Sequence, residues 1–314
     1  MANGPEKVGG EPGSSEETRC GFVAIIGAPN AGKSTLVNAL VGTKVTIVCH
    51  KVQTTRMPVR GIAIEGASQL VFIDTPGIFA PRRRLDRAMV ESAWSGAEDG
   101  DVIALIVDAA KGIDDNVSRI LTKLKGVRSR VVLLLNKVDK VRDKEQLLKL
   151  TQALTAEIDF ERVFMISALN SNGVADFKSY LASAVPVGPW HYPEEDVSDI
   201  PMRVLAAEIT RERIFHLLHD ELPYSISVET TDWKQLRNGS VRIEQTVFVE
   251  RDSQKSIVLG KGGKTIKQVS SEARKELRDM LEHDVHLFIF VKVREGWGDD
   301  PERYREMGLS FPKD

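Results

Sequence analysis

Cysteine is nearly missing from this sequence. Cys20 and Cys49 are the only two in 314 residues, and they form neither a CxxC pair nor a cluster with histidine. That excludes a disulfide framework, argues against a zinc site and fits a reducing compartment. Long apolar runs are also lacking: the longest, such as 102–107, fall far short of the roughly 18 residues of a membrane span. There is no long internal repeat. There is no excess charge either, since 43 basic side chains face 45 acidic ones for a net −2. Taken whole, that balance argues against a nucleic-acid partner, which favours basic proteins; local charge has to be weighed against it. Residues 1–19 are rich in Gly, Glu and Ser without an apolar core. They read as a disordered tail rather than a signal or transit peptide.

What is present is an ordinary globular mixture, 42% hydrophobic and 28% charged, and its length suggests two domains. From 20 to 185, apolar runs at 21–26, 70–73, 102–107, 131–135 and 163–166 alternate with helical patterns at 33–40, 85–97, 116–125, 144–158 and 174–184. Buried strands alternating with helices give an α/β domain with a mostly parallel sheet. Pro186, Gly188, Pro189 and an unbalanced acidic stretch mark 186–200 as a linker. Residues 201–314 form an α+β domain: a strand at 202–208, a helix at 211–222, strands at 225–230 and 241–250, a glycine turn at 260–263, a helix at 265–281 and a strand at 285–293.

Four segments of the first domain carry chemistry. Gly27, Ala28, Pro29, Asn30, Ala31, Gly32, Lys33 and Ser34, followed by Thr35, match the GxxxxGK(S/T) phosphate loop between a strand and a helix. Its glycines let successive N–H groups close on a β-phosphate, Lys33 bridges the β- and γ-phosphates, and the Ser34 hydroxyl suits Mg²⁺. A chance match in this length is about one in a hundred. Asp74-Thr75-Pro76-Gly77 ends the next strand. Asp74 is placed to hold Mg²⁺ through water, and the Gly77 N–H is placed to meet a γ-phosphate; DxxG alone is expected about once by chance, so position gives it weight. Asn136, Lys137 and Asp139 follow the 131–135 strand: Asp139 suits both donors of guanine and none of adenine, Asn136 ties the segment to the phosphate loop, and the Lys137 stem covers the base. Ser167, Ala168 and Leu169 follow the last strand, with the Ala168 N–H directed at guanine O6. All four segments lie at the C-terminal ends of parallel strands, where open sheets bind ligands. Asp139 speaks against an ATPase or small-molecule kinase.

Between the loop and DxxG, Gln53-Thr54-Thr55-Arg56 offers a threonine, Thr55 rather than Thr54, to complete the Mg²⁺ shell and loosen after hydrolysis. The stretch 79–84 reads as a second switch, with Arg82–Arg84 a solvated surface. Ile78 stands where a Ras-type enzyme carries its water-orienting glutamine, so turnover is expected to be slow and water to be placed by backbone, a cation or another element.

In the second domain, Gly260, Lys261, Gly262, Gly263, Lys264 and Lys267 build a GxxG turn with lysines around it. GxxG is common by chance. Here it sits in 255–278, where seven bases face Glu272 and Glu276 for a net +5. Such a loop brings N–H groups against about four unpaired nucleotides. The His216/His219 and His283/His286 pairs lack partner ligands and read as structural; Trp233, Trp297 and Tyr304 read as packing or rim residues.

The sequence resembles the Era family of bacterial GTPases through GAPNAGKS, QTTR, DTPG, NKVD, SAL and VLGKGGKTIK, and again at 303–311, over roughly 20–311. The resemblance implies a Ras-like GTPase domain followed by a type II KH domain, with GTP/GDP and Mg²⁺ as cofactors. It implies binding to the 3′ end of small-subunit ribosomal RNA, a role in maturing the small ribosomal subunit, and a cytoplasmic location with peripheral inner-membrane association. Asn30 matches a position linked to K⁺ in related GTPases. A monomer is expected. Two other readings remain: a GTPase coupled to RNA modification, which needs a modification centre such as an active cysteine that is not found, and an RNA-binding scaffold with a weak nucleotide pocket.

Overall fold

The computed structural model describes residues 17–51, 53–218 and 225–312. The tail up to residue 16 and the end of the 211–222 helix therefore lie outside the described residues.

The first domain is a six-stranded sheet ordered β2-β3-β1-β4-β5-β6. β1 (Arg19–Gly27), β3 (Ser68–Asp74), β4 (Val102–Asp108), β5 (Arg130–Asn136) and β6 (Arg162–Ile166) run parallel, and β2 (Val59–Glu65) pairs antiparallel with β3. The pleat sends alternate residues to opposite faces. Val23 and Ile25 enter the core under α1 (Lys33–Val41) and α5 (Val174–Ala184), while Ala24 and Ile26 enter the core under α2 (Arg84–Glu98), α3 (Asp115–Leu124) and α4 (Lys144–Thr155). With both faces covered, the strands are continuous apolar runs. β2 is absent from the sequence expectation because Arg60, Gly61 and Glu65 leave only a three-residue apolar run.

Residues 186–200 are an ordered strap. Trp190 Nε1 donates to the Ala67 carbonyl at 3.1 Å, Gln69 bonds the backbone of His191 and Tyr192, and Ile62 N–H donates to Val197 O at 2.9 Å. Arg60 pairs with Asp199 at 2.8 Å. The strap thereby covers the otherwise open β2 edge.

The second domain corrects one expectation. The stretch 202–208 is not a strand: it opens a single helix, α6 (Met202–Leu217), that runs into the 211–222 pattern and ends at Leu217. Buried side chains point almost all round it, from Leu205, Ala206, Ala207 and Ile209 to Thr210, Arg211, Ile214 and Phe215. A helix buried on all sides shows no apolar stripe, so its first turns read as a buried strand. β7 (Ser227–Gln235), β8 (Val241–Val249) and β9 (Val285–Val293) form a sheet with β7 antiparallel and β9 parallel to β8. α6, α7 (Asp252–Leu259) and α8 (Lys264–Leu281) pack on it. A last helix, α9 (Pro301–Glu306), places Tyr304 beside Trp297 and Leu309, and this cluster docks on Leu85, Ala88 and Met89 of α2. Trp297 and Tyr304 are thus packing residues, and Trp233 packs half-buried against the α6 core. His216, His283 and His286 are exposed, and no metal-ligating cluster occurs among the described residues.

Candidate functional site

The loop between β1 and α1 turns because Asn30 and Gly32 adopt positive φ, 62° and 106°. A Cβ at Gly32 would stand 2.2 Å from Asn136 Nδ2, so only glycine lets the loop meet the segment after β5. Gly77 has the same constraint from another side: its Cβ would lie 3.0 Å from Pro29. Around this loop lies a cleft of about 200 Å³ that gathers Pro29, Asn30, Lys33, Ser34, Thr55 and Gly77 at one end and Asn136, Lys137, Asp139, Ser167, Ala168 and Leu169 at the other.

Lys33 is buried and donates to the carbonyls of Gly27 and Ala28 at 3.2 and 3.0 Å. Burial lowers its pKa to about 8, against the opposing pull of Asp74. Ser34 Oγ donates to Asp74 Oδ2 at 2.8 Å and lies 2.9 Å from Thr55 Oγ1, which is itself 3.4 Å from Asp74. The three residues expected to serve a cation therefore converge. Thr54 turns away and bonds the Lys51 carbonyl at 2.7 Å. Burial pushes the Asp74 carboxyl up, against hydrogen bonds from Ser34, Thr46 and Thr55, and its Oδ1 is buried without a hydrogen-bond partner among the described residues. Thr46, which also donates to Asp74 at 2.8 Å, has no motif to announce it.

At the base end, Asn136 Nδ2 donates to Ala31 O at 2.8 Å, and Lys137 joins Asp108 at 2.7 Å and the Asn30 carbonyl at 2.5 Å. Asp139 stands exposed in the short turn after β5, its carboxylate at the cleft. The Ala168 N–H differs from expectation: it donates to Asn136 Oδ1 at 2.9 Å and so locks the two base-side segments together instead of standing free for O6. Ile78 is buried in the core under α2, which leaves no side chain at that position to orient water. Of the three arginines, Arg82 and Arg83 are exposed, but Arg84 pairs with Asp299 at 3.1 Å and lies over Phe311.

The segment between α1 and β2 also reaches the second domain. Lys44 pairs with Glu212 and Glu276 at 2.5 Å each, and the Val48 N–H donates to Glu212 Oε1 at 2.7 Å. Lys51 binds the carbonyls of Phe215 and Leu218, Arg211 donates to the Thr54 carbonyl, and Arg56 Nη1 donates to Ile226 O at 2.6 Å. No single-segment motif foretells these pairs, whose members lie more than 150 residues apart in the chain.

The glycine turn joins α7 to α8. Gly260, Gly262 and Gly263 have φ of 71°, 63° and 75°. A Cβ at Gly260 would lie 2.2 Å from Thr265 Oγ1, whereas Gly262 and Gly263 face open space. Lys261, Lys264 and Lys267 are exposed around it. The 258–259 stretch before the turn is the end of α7, so the turn is a helix–GxxG–helix.

A phosphate-loop motif at a cleft that also gathers the DxxG and NKxD segments of a Ras-like sheet, followed by a helix–GxxG–helix on a three-stranded sheet, defines a GTPase joined to a KH domain. Family models agree: a 50S ribosome-binding GTPase model matches residues 22–137 and a KH domain model matches 221–298. GTPase Era of Bradyrhizobium sp. (strain BTAi1) is 61% identical over 302 residues, 96% of this chain and 98% of that protein. The crystal structure of Era in complex with MgGDPNP and nucleotides 1506–1542 of 16S ribosomal RNA matches with a TM-score of 0.89 at 35% identity, covering 93% of this chain and 99% of that one. Aquifex aeolicus Era Y63A bound to GDP·AlF4⁻ matches equally, TM-score 0.89 at 35% identity, over 93% of this chain and 100% of that one. This chain belongs to the Era family of GTPases and hydrolyses GTP to GDP and phosphate. No helix among the described residues is long and apolar enough to cross a membrane.

Proposed function

We propose that the chain is a GTP-gated assembly factor whose KH domain holds the unpaired 3′ end of small-subunit ribosomal RNA during maturation of that subunit. The observation that carries the gating is the grip of Lys44, Val48, Lys51, Thr54 and Arg56 on α6 and on Ile226, just before β7. α6 packs on α8, and α8 begins at the GxxG turn. A segment that senses the γ-phosphate through Thr55 thus also holds the helix that anchors the RNA loop. The RNA assignment rests on the open glycine turn, its lysines, and the RNA held by the related Era in its crystal structure.

Ser34, Asp74 and Thr55 fit Mg²⁺: three oxygens converge, and the buried Asp74 Oδ1 is left for a water in the metal shell. When bound, the ion neutralises β- and γ-phosphate charge. Lys33 exchanges its loop carbonyls for phosphate oxygens, and the Gly77 N–H meets the γ-phosphate. With Ile78 in the core, Asn30 is the side chain best placed for a K⁺ that assists the reaction. It lines the same end of the cleft as Lys33 and Ser34 and donates to the His50 carbonyl, in the segment between α1 and β2, at 2.7 Å.

Replacing Lys261 and Gly262 by Asp tests the RNA reading. Loss of binding to a 3′-end 16S oligonucleotide, with GDP affinity retained, is the expected result; surviving RNA affinity overturns the role of the loop.

A further inference from the structure

Asp86 is an acid that lines no part of the nucleotide cleft, yet it is 4% exposed. A carboxylate stays in such a place when hydrogen bonds replace the water it loses. Both oxygens of Asp86 are engaged, by two different parts of the chain. Oδ2 accepts from the backbone N–H groups of Arg82 and Arg83, at 3.0 Å each. Oδ1 accepts from Gln53 Nε2 at 2.9 Å.

The two backbone bonds belong to the start of α2. Arg83 caps that helix, and Asp86, at its third position, reaches back to the Arg83 N–H as one half of a capping box. The 79–84 stretch is thereby closed onto the helix. The bond from Gln53 has no part in capping. It ties the start of α2 to the segment between α1 and β2. Gln53 holds a φ of 56°, a left-handed conformation that is uncommon for a residue with a Cβ and persists where the surroundings fix it. Two residues further on, Thr55 Oγ1 lies 2.9 Å from Ser34 Oγ and 3.4 Å from Asp74 Oδ2. On either side of Asp86, Leu85 and Ala88 pack with Trp297 and Tyr304 at the seam between the two domains.

We propose that Asp86 is a positioning residue for GTP hydrolysis: its carboxylate clasps Gln53 to the start of α2, and so holds Thr55 and the stretch after Gly77 in one arrangement. It acts through Gln53 and the 82–83 backbone. The proposal rests on the role given above to Thr55 at the γ-phosphate. A γ-phosphate that orders Thr55 also tightens the 79–84 stretch, because one acid holds both.

The test exchanges donor and acceptor in the full chain. In Gln53→Glu, two carboxylates meet at the clasp. In Asp86→Asn, the amide oxygen still accepts from the two N–H groups, and the Gln53 amide turns over to accept from the new NH₂. In the double variant the pair is restored with reversed polarity, the carboxylate at position 53 accepting from the amide at position 86. Single-turnover GTP hydrolysis and the affinities for GDP and GDPNP are measured for each. Gln53→Glu is expected to slow hydrolysis about tenfold and to weaken GDPNP relative to GDP, with GDP affinity within about twofold of wild type. Asp86→Asn alone is expected to stay within about threefold of the wild-type rate, and the double variant to recover most of what Gln53→Glu loses. Gln53→Leu, which removes the bond without adding charge, is expected to slow hydrolysis and to gain nothing from Asp86→Asn. A role confined to capping α2 predicts that Asp86→Asn leaves the Gln53→Glu defect as it was. That result overturns the proposal, as does a wild-type rate in Gln53→Glu. Thr55→Ala is measured beside them, since an unimpaired rate there overturns the role of Thr55, whereas failure of the double variant to recover overturns the clasp.

Discussion

At the scale of single residues, the nucleotide cleft is set by what burial does to charge. Lys33 is removed from water beside loop carbonyls and titrates near pH 8 instead of the usual 10.5. Phosphate oxygens favour its charged form and restore a high pKa. Between about pH 8 and 10.5, nucleotide-free protein has therefore lost a proton that the complex retains, so GDP binding takes one up and weakens as pH rises. Calorimetry near pH 9 in two buffers of different ionisation enthalpy measures this uptake; equal heats in both buffers contradict it. Asp139 is the counterpart at the base end. Asp139→Asn is expected to move preference from guanine to xanthine, whose C2 carbonyl accepts from an amide, and competition between GDP and XDP measures it; undiminished guanine selectivity contradicts the role. Residues such as these were legible in the sequence because phosphate and base chemistry fix their spacing within one short segment. Thr46 and Arg56 were not, since their partners, Asp74 and Ile226, come from other parts of the fold. Nor was the bond that ties Ala168 to Asn136.

At the scale of elements, the parallel sheet was readable because strands covered on both faces are unbroken apolar runs. β2, an edge strand broken by Arg60 and Gly61, was not, and neither were the first turns of α6, whose burial on nearly every side removes the stripe that marks a helix. The α7–turn–α8 unit shows how far glycine spacing can be trusted. Gly260 needs both its positive φ and the space beside Thr265, whereas Gly262 faces open space. Gly260→Ala is therefore expected to lower stability by about 1–3 kcal/mol in urea denaturation, and a change within a few tenths of a kcal/mol contradicts this account of the turn. At the seam, burial raises the Glu276 carboxyl, but hydrogen bonds from Lys44 and Arg213 outweigh it and hold the pKa below 4.5. The stability from that contact is present above about pH 4.5 and lost as pH falls through the lowered value.

At the scale of the whole molecule, the net charge of −2 proved a poor guide, since it averages an acidic tail and strap with the +5 stretch around the glycine turn. Besides the strap, two contacts join the halves, one from the segment between α1 and β2 and one from α2. The segment between α1 and β2 holds α6 through Glu212, Arg211 and the helix carbonyls, and α2, which follows the 79–84 stretch, receives Trp297 and Tyr304. On the proposed reading, in which nucleotide orders Thr55 and Gly77, it acts on both contacts at once. A ligand shifts such an equilibrium only by its differential affinity, and couplings of this sort run to about 1–3 kcal/mol, or about 5- to 150-fold. Comparing the affinity of GDPNP-loaded and GDP-loaded protein for a 3′-end 16S oligonucleotide, in wild type and Glu212→Ala, measures the coupling directly. The account predicts at least a fivefold difference between nucleotide states in wild type, collapsing toward unity in the variant. Equal RNA affinity in both states of the wild type would contradict it.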